Sequence, residues 1–180
     1  MNNEATQTQT THGMMTGQFN DKESLEAAYD SLRTQGLSED QINVIMSDDT
    51  RKKYYADDTD SELGSKAAEG TGVGSMIGGT LGAIIGGIAA IGTNLVLPGV
   101  GLIVWGPVAA ALAGAGAGGL TGGLVGALIG WGIPEDRAKL YEEGIKNGGT
   151  VLGVTPRNAE EAAKLRTEWE TTHRGSNIYN

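Results

Sequence analysis

Cysteine is absent from the chain, which excludes a disulfide framework, a thiol nucleophile and any Cys-based zinc site. Histidine occurs twice, at His12 and His173. Both fall in segments that read as polar tails, away from any carboxylate cluster with ligand spacing, so no metal site is expected. Basic charge is also short, with 13 Lys and Arg against 22 Asp and Glu for a net charge of −9. That balance argues against nucleic acid as a partner, because phosphate binders need a basic face. No basic n-region followed by an apolar run opens the chain, so Met1 to His12 reads as a disordered tail and not as a signal peptide.

The largest absence is local. From Gly70 to Pro134 there is no Asp, Glu, Lys, Arg or His, and this stretch holds 21 of the 30 glycines. The glycines form two ladders of equal spacing, Gly70, Gly74, Gly78, Gly82, Gly86 and Gly114, Gly118, Gly122, Gly126, Gly130. Residues four apart share one inclined ridge of a helix, so each ladder predicts a helix with one smooth side. The opposite ridges are bulky: Ile77, Leu81, Ile85 in the first, Leu120, Leu124, Leu128 in the second.

A helix without a polar side must be covered by protein or lipid. Nine glycines between Gly70 and Gly92 would together cost about 9 kcal/mol relative to Ala, which close small-xxx-small packing or a bilayer must offset. Thr71–Gly92 and Pro107–Gly130 are each long enough for about 30 Å of helix, and Trp105 and Trp131 bracket the second as membrane-interface aromatics would. Thr93 to Gly106 is expected to turn the chain, with Leu95-Val96-Leu97 and Leu102-Ile103-Val104 making its tip apolar. The expectation is a glycine-zipper helical hairpin over residues 70–132. Its partners are a second copy of the chain and membrane lipid, and Lys66, Arg137 and Lys139 outside it place both termini on the cytoplasmic side of the inner membrane. A soluble cytoplasmic oligomer with hairpins packed inside is the alternative.

The flanks predict a small α+β unit of ferredoxin-like character, assembled from residues 13–47 and 133–172. Met14 to Phe19 reads as a first strand weakened by Gly17. Asn20 and Glu23 have the form of a capping box opening a helix with Leu25, Ala28, Tyr29 and Leu32 on one side and Gly36 at its end. Ile42 to Met46 is a second strand. Residues 48–69, with Arg51-Lys52-Lys53-Tyr54-Tyr55 and Asp57, Asp58 and Asp60, read as a solvated polar linker. Pro134 fits the first position of a helix striped by Ala138, Tyr141 and Ile145. Thr150 to Thr155 is a third strand with Gly153 its weak point, Asn158 and Glu161 cap a last helix carrying Ala162, Leu165 and Trp169, and residues 173–180 read as a tail. Helices are expected on one side of a three-stranded sheet.

No catalytic constellation emerges. The glycines lack the Gly-Lys-Ser/Thr ending of a phosphate loop, and Gly114 to Gly119 follows no strand, so packing explains it better than dinucleotide binding. Asp57, Asp58 and Asp60 lack the Gly and distal Glu of a calcium loop. No cofactor is expected, and the chain reads as a non-enzyme; a ligand-sensing role for the α+β unit would rest on fold analogy alone. Met14–Met46, the glycine zipper and the passage Gly130-Trp131-Gly132-Ile133-Pro134-Glu135, then Ala138, Tyr141, Gly144, Gly148-Gly149 and Val151, resemble the bacterial general stress protein (heat-induced stress protein) family over most of residues 14–155. The resemblance implies a stress-response protein with no catalytic residues to carry over.

Overall fold

A computed structural model describes residues 13–38, 41–59, 95–97, 101–106, 109 and 123–180, with backbone alone for 95–97 and for the helix beyond Tyr55. Within them the chain runs β1 (Met15–Phe19), α1 (Lys22–Thr34), β2 (Ile42–Ser47), α2 (Asp48–Thr59), β3 (Leu95–Leu97), β4 (Leu102–Trp105), α3 (Gly123–Gly130), α4 (Glu135–Lys146), β5 (Thr150–Val154), α5 (Ala159–Thr171) and β6 (Ser176–Tyr179). The class is α+β, as the sequence implies. Six strands form one sheet in the order β3-β4-β2-β5-β1-β6, with every neighbouring pair antiparallel. β1 and β2 therefore run parallel with β5 between them, so the first strand–helix–strand unit is split by a strand that arrives about a hundred residues later in the chain.

Side chains alternate across the sheet, and both sides are covered. Met15, Phe19, Ile42, Val44, Met46, Ile103, Trp105, Leu152 and Val154 project to one side, where α1, α5 and Tyr55 of α2 complete a buried cluster. Ile45, Leu102, Val104 and Val151 project to the other and meet Leu124, Ala127 and Leu128 of α3 and Ala138, Tyr141 and Ile145 of α4. Helices on one side only were expected. The near-continuous apolar runs Ile42 to Met46 and Leu102 to Trp105 suit burial on both sides, and that is the physical reason for the third layer.

Three further segments depart from expectation. Thr93 to Gly106 does not merely turn the chain: Leu95 pairs with Val104 and Leu97 with Leu102 as a β-hairpin, and β4 pairs along β2 from Val44↔Trp105 to Ser47↔Leu102. Its apolar character is thereby explained, since Leu102, Ile103, Val104 and Trp105 are all buried in the sheet. The start of the polar segment 48–69 is the helix α2. Ser47 Oγ accepts from the Thr50 N–H at 3.0 Å as its cap, Asp48 pairs with Arg51 at 3.1 Å one turn on, and Tyr55 is 2% exposed. The tail at 173–180 contains β6, which pairs with β1 at Thr16↔Tyr179 and Gln18↔Ser176.

Helix ends follow local chemistry closely. Asp21, not Asn20, caps α1, its Oδ1 accepting from the Ser24 N–H at 2.9 Å; a carboxylate also complements the helix dipole, which an amide does not. Asn20 instead accepts from Gln18 Nε2 at 2.7 Å. At the far end Gly36, with φ +86°, donates to Arg33 O, and Leu37 donates to Leu32 O, the paired bonds that close a helix through a left-handed residue. Pro134 is the residue before the first turn of α4, and Asn158 Oδ1 caps α5 by accepting from the Glu161 N–H at 2.8 Å.

Candidate functional sites

A polar seam lies between α4 and the β1–β6 edge. Thr16 and Gln18 point to the α4 side of the sheet, and Gly144 of α4 lies directly over Gln18: a Cβ there would come 2.2 Å from Gln18 Oε1. The helix backbone thus rests on a side-chain amide. One turn earlier the Tyr141 hydroxyl donates to Asn177 O at 2.6 Å, and the Thr16 hydroxyl, 2.8 Å away, must then donate to Tyr141. Asn177 Nδ2 donates to Gln18 Oε1 at 3.2 Å, and Gln18 Nε2 passes the chain to Asn20. Burial pushes the Tyr141 hydroxyl above its ordinary value, with the Thr16 bond and two arginines opposing. A phenol that stays protonated with its proton committed to a carbonyl is a clamp for β6 and has no base function.

A second cluster joins α1 to α5. Glu168 accepts from the Ser31 hydroxyl, from Gln35 Nε2 at 3.1 Å, and lies 3.2 Å from His173 Nε2. Burial alone would raise this carboxyl; the hydrogen bonds from Ser31, His173 and Gln35 together outweigh it and hold the group below the usual range. The residue types resemble a nucleophilic triad, but the order does not. The carboxylate stands between hydroxyl and imidazole, whereas a triad needs the imidazole in the middle to take the hydroxyl proton. His173, expected in a tail, is 9% exposed.

Two glycines that weaken strands in the sequence serve packing in the fold. A Cβ on Gly17 would come 2.7 Å from the Trp169 ring, and one on Gly153 would come 2.9 Å from the Trp131 ring. Each indole lies against a strand glycine, on opposite sides of the sheet, where any side chain would hold it off. Trp131 is half-buried against the α3–α4 cluster. Trp105, expected at a membrane interface, has no exposed surface: it stands in β4 with its ring 5.8 Å from that of Tyr29. Its place in the core follows from the pairing of β4 with β2.

Of the predicted ladder, Gly70, Gly74, Gly78, Gly82, Gly86, Gly114, Gly118 and Gly122 lie outside the described residues, as does Asp60. Gly126 and Gly130 are in α3. That helix turns Leu124, Ala127 and Leu128 onto the sheet, and leaves Gly130 and Ile129 exposed, Ile129 at 43%. A Cβ on Gly130 would meet nothing within 4 Å among the described residues. Among the described residues, no helix is long and apolar enough to cross a membrane, and no group of three or more His, Asp or Glu is arranged to hold a metal ion. The seam and the Glu168 cluster were not anticipated. Tyr141 and Gly144 belong to the passage that carries the family resemblance, but nothing in their spacing marks Thr16, Gln18 and Asn177 as their partners. No family model, curated protein or solved structure matches the chain.

Proposed function

We propose that this chain is a structural protein of the stress response, without catalytic activity, that assembles with copies of itself through its glycine ladders. The observation that carries this reading is the orientation of α3. Its leucine ridge is spent on the sheet, so Leu124 and Leu128 need neither lipid nor a partner, while Gly130 and Ile129 face outward. A smooth glycine ridge allows close backbone approach of a second helix. The α+β unit is then a platform that presents the ridge, with the polar seam holding α4 to the sheet and the Glu168 cluster holding α1 to α5.

Lipid contact at the cytoplasmic side of the inner membrane is the second reading. It is favoured by the charge-free stretch Gly70 to Pro134 and by the outward Ile129 within it. Fractionation of untagged protein, followed by sizing with and without detergent, separates the two. Self-assembly predicts a large species that stays in the supernatant and keeps its size when detergent is added. Recovery solely in carbonate-washed membranes, with a monomer on extraction, would sink the assembly reading and leave the lipid one.

A further inference from the structure

The last strand is attached in an unusual way. Among the described residues two that are not glycine have positive φ, Arg174 at 53° and Asn177 at 50°, and they bracket the start of β6. Asparagine tolerates that conformation; for arginine the Cβ crowds the following carbonyl. Arg174 is in the short link, Thr172 to Gly175, between α5 and β6. Its guanidinium reaches Asp21 at 3.2 Å but is largely exposed, so that pair compensates little. The pairing of β6 with β1 also slips between Thr16 and Gln18.

The place that β6 fills is demanding. Asn177 O accepts from the Tyr141 hydroxyl, Asn177 Nδ2 satisfies Gln18 Oε1, Ser176 Oγ donates to Gln18 O at 3.3 Å, and Ile178 closes the apolar cluster beside Trp169. Were β6 to leave, Tyr141 and Gln18 would lose these partners in a buried seam, so only a strand carrying the same groups in the same order restores them. The chain offers that strand twice in a pair of copies: its own and its neighbour's. Short connections under strain favour the neighbour's, because exchange keeps every contact that β6 itself makes and gives up only those of the link, such as His173 with Glu168 and Arg174 with Asp21.

We infer that the edge formed by β1 and α4 is a strand-acceptor site for β6 of a second copy, giving a reciprocally exchanged dimer. This contact does not depend on the glycine ladders. The absence of cysteine makes the test clean. Gln18 and Ser176 are register partners, so chains carrying Gln18→Cys alone and Ser176→Cys alone are mixed, left to equilibrate and oxidised. Exchange predicts a disulfide-linked heterodimer from the mixture, and adding Arg174→Gly to both chains lowers its yield about fivefold by relieving the link. Arg174→Ala, which removes the guanidinium and keeps the strain, leaves the yield unchanged. The doubly substituted single chain reports whether the pair can close at all, and Thr16→Cys with Tyr179→Cys, which keeps the Gln18–Asn177 bond, repeats the experiment. Closure within the doubly substituted chain, with no heterodimer from either mixture, overturns the inference.

Discussion

Gly144 is the residue on which the α4 packing turns, because the atoms a side chain would occupy belong to Gln18. That amide is a flexible group, but its bonds to Asn20 and Asn177 hold it in place. Gly144→Ala should therefore cost on the order of 1–3 kcal/mol, through loss of those bonds more than through bare overlap. Combined with Gln18→Ala, the loss should fall short of the sum of the two singles by about 1 kcal/mol in urea unfolding; strict additivity would show that the two do not meet. Tyr55 makes the opposite case. Its hydroxyl is buried without a hydrogen-bond partner among the described residues, and burial, with Glu26 and Glu23 nearby, drives its ionisation far above the normal range. Tyr55→Phe should be neutral or stabilising by up to about 1 kcal/mol, and a clear loss of stability would mean that the hydroxyl is bonded in the native protein. Glu168 gives a pH test. Its folded-state pKa lies below the ordinary glutamate value, so its contribution is present above that ordinary value and lost as pH falls through the folded one. The wild type should lose more stability than Glu168→Gln on going from about pH 5 to pH 3; parallel curves would remove the cluster from the account.

At the scale of elements, what the sequence reveals depends on whether a segment's own pattern matches what it buries. The helices α1, α4 and α5 carry apolar stripes at helical spacing, and all three fall where Leu25 to Leu32, Ala138 to Ile145 and Ala162 to Trp169 place them. The strands β1, β2 and β5 are equally plain. β3 and β4 are not, because a short apolar run between glycines fits a buried strand and a helical turn alike. Only the pairing with β2, whose side chains are apolar toward both layers, decides between them. α2 is obscured by charge, since two adjacent tyrosines on an otherwise polar helix leave almost no periodicity. β6 is obscured by polarity: Ser176 and Asn177 are strand residues here because of Tyr141 and Gln18, which lie far away in sequence. The Glu168 cluster is hidden for the same reason, being built from α1, α5 and the turn after α5. Gly17 and Gly153 show a subtler limit, since a glycine in a strand signals weakness until the indole that covers it is known. Gly153→Ala should displace the Trp131 ring and be seen as a shift in its fluorescence, whereas an unchanged emission maximum would place the ring elsewhere.

At the scale of the molecule, the sheet divides the labour of covering apolar surface. One side is closed by α1, α2 and α5, and the other by α3 and α4. The second closure uses the bulky ridge of a glycine-ladder helix, which changes what the ladder is free to do. With Leu124 and Leu128 on the sheet, the surface left for association along α3 is the one bearing Gly130. The two ridges should then separate by mutation. Leu128→Ala removes a buried side chain and should cost about 2–5 kcal/mol of stability, while Gly130→Leu projects into open space and should leave stability within about 1 kcal/mol. Assembly through the Gly130 ridge is open to measurement by the sedimentation velocity of the full chain without detergent, wild type against Gly130→Leu at matched concentration. Assembly through that ridge predicts that the wild type sediments as an assembly and that the variant shifts to a smaller species with its unfolding midpoint unchanged. Identical sedimentation of the two would contradict it.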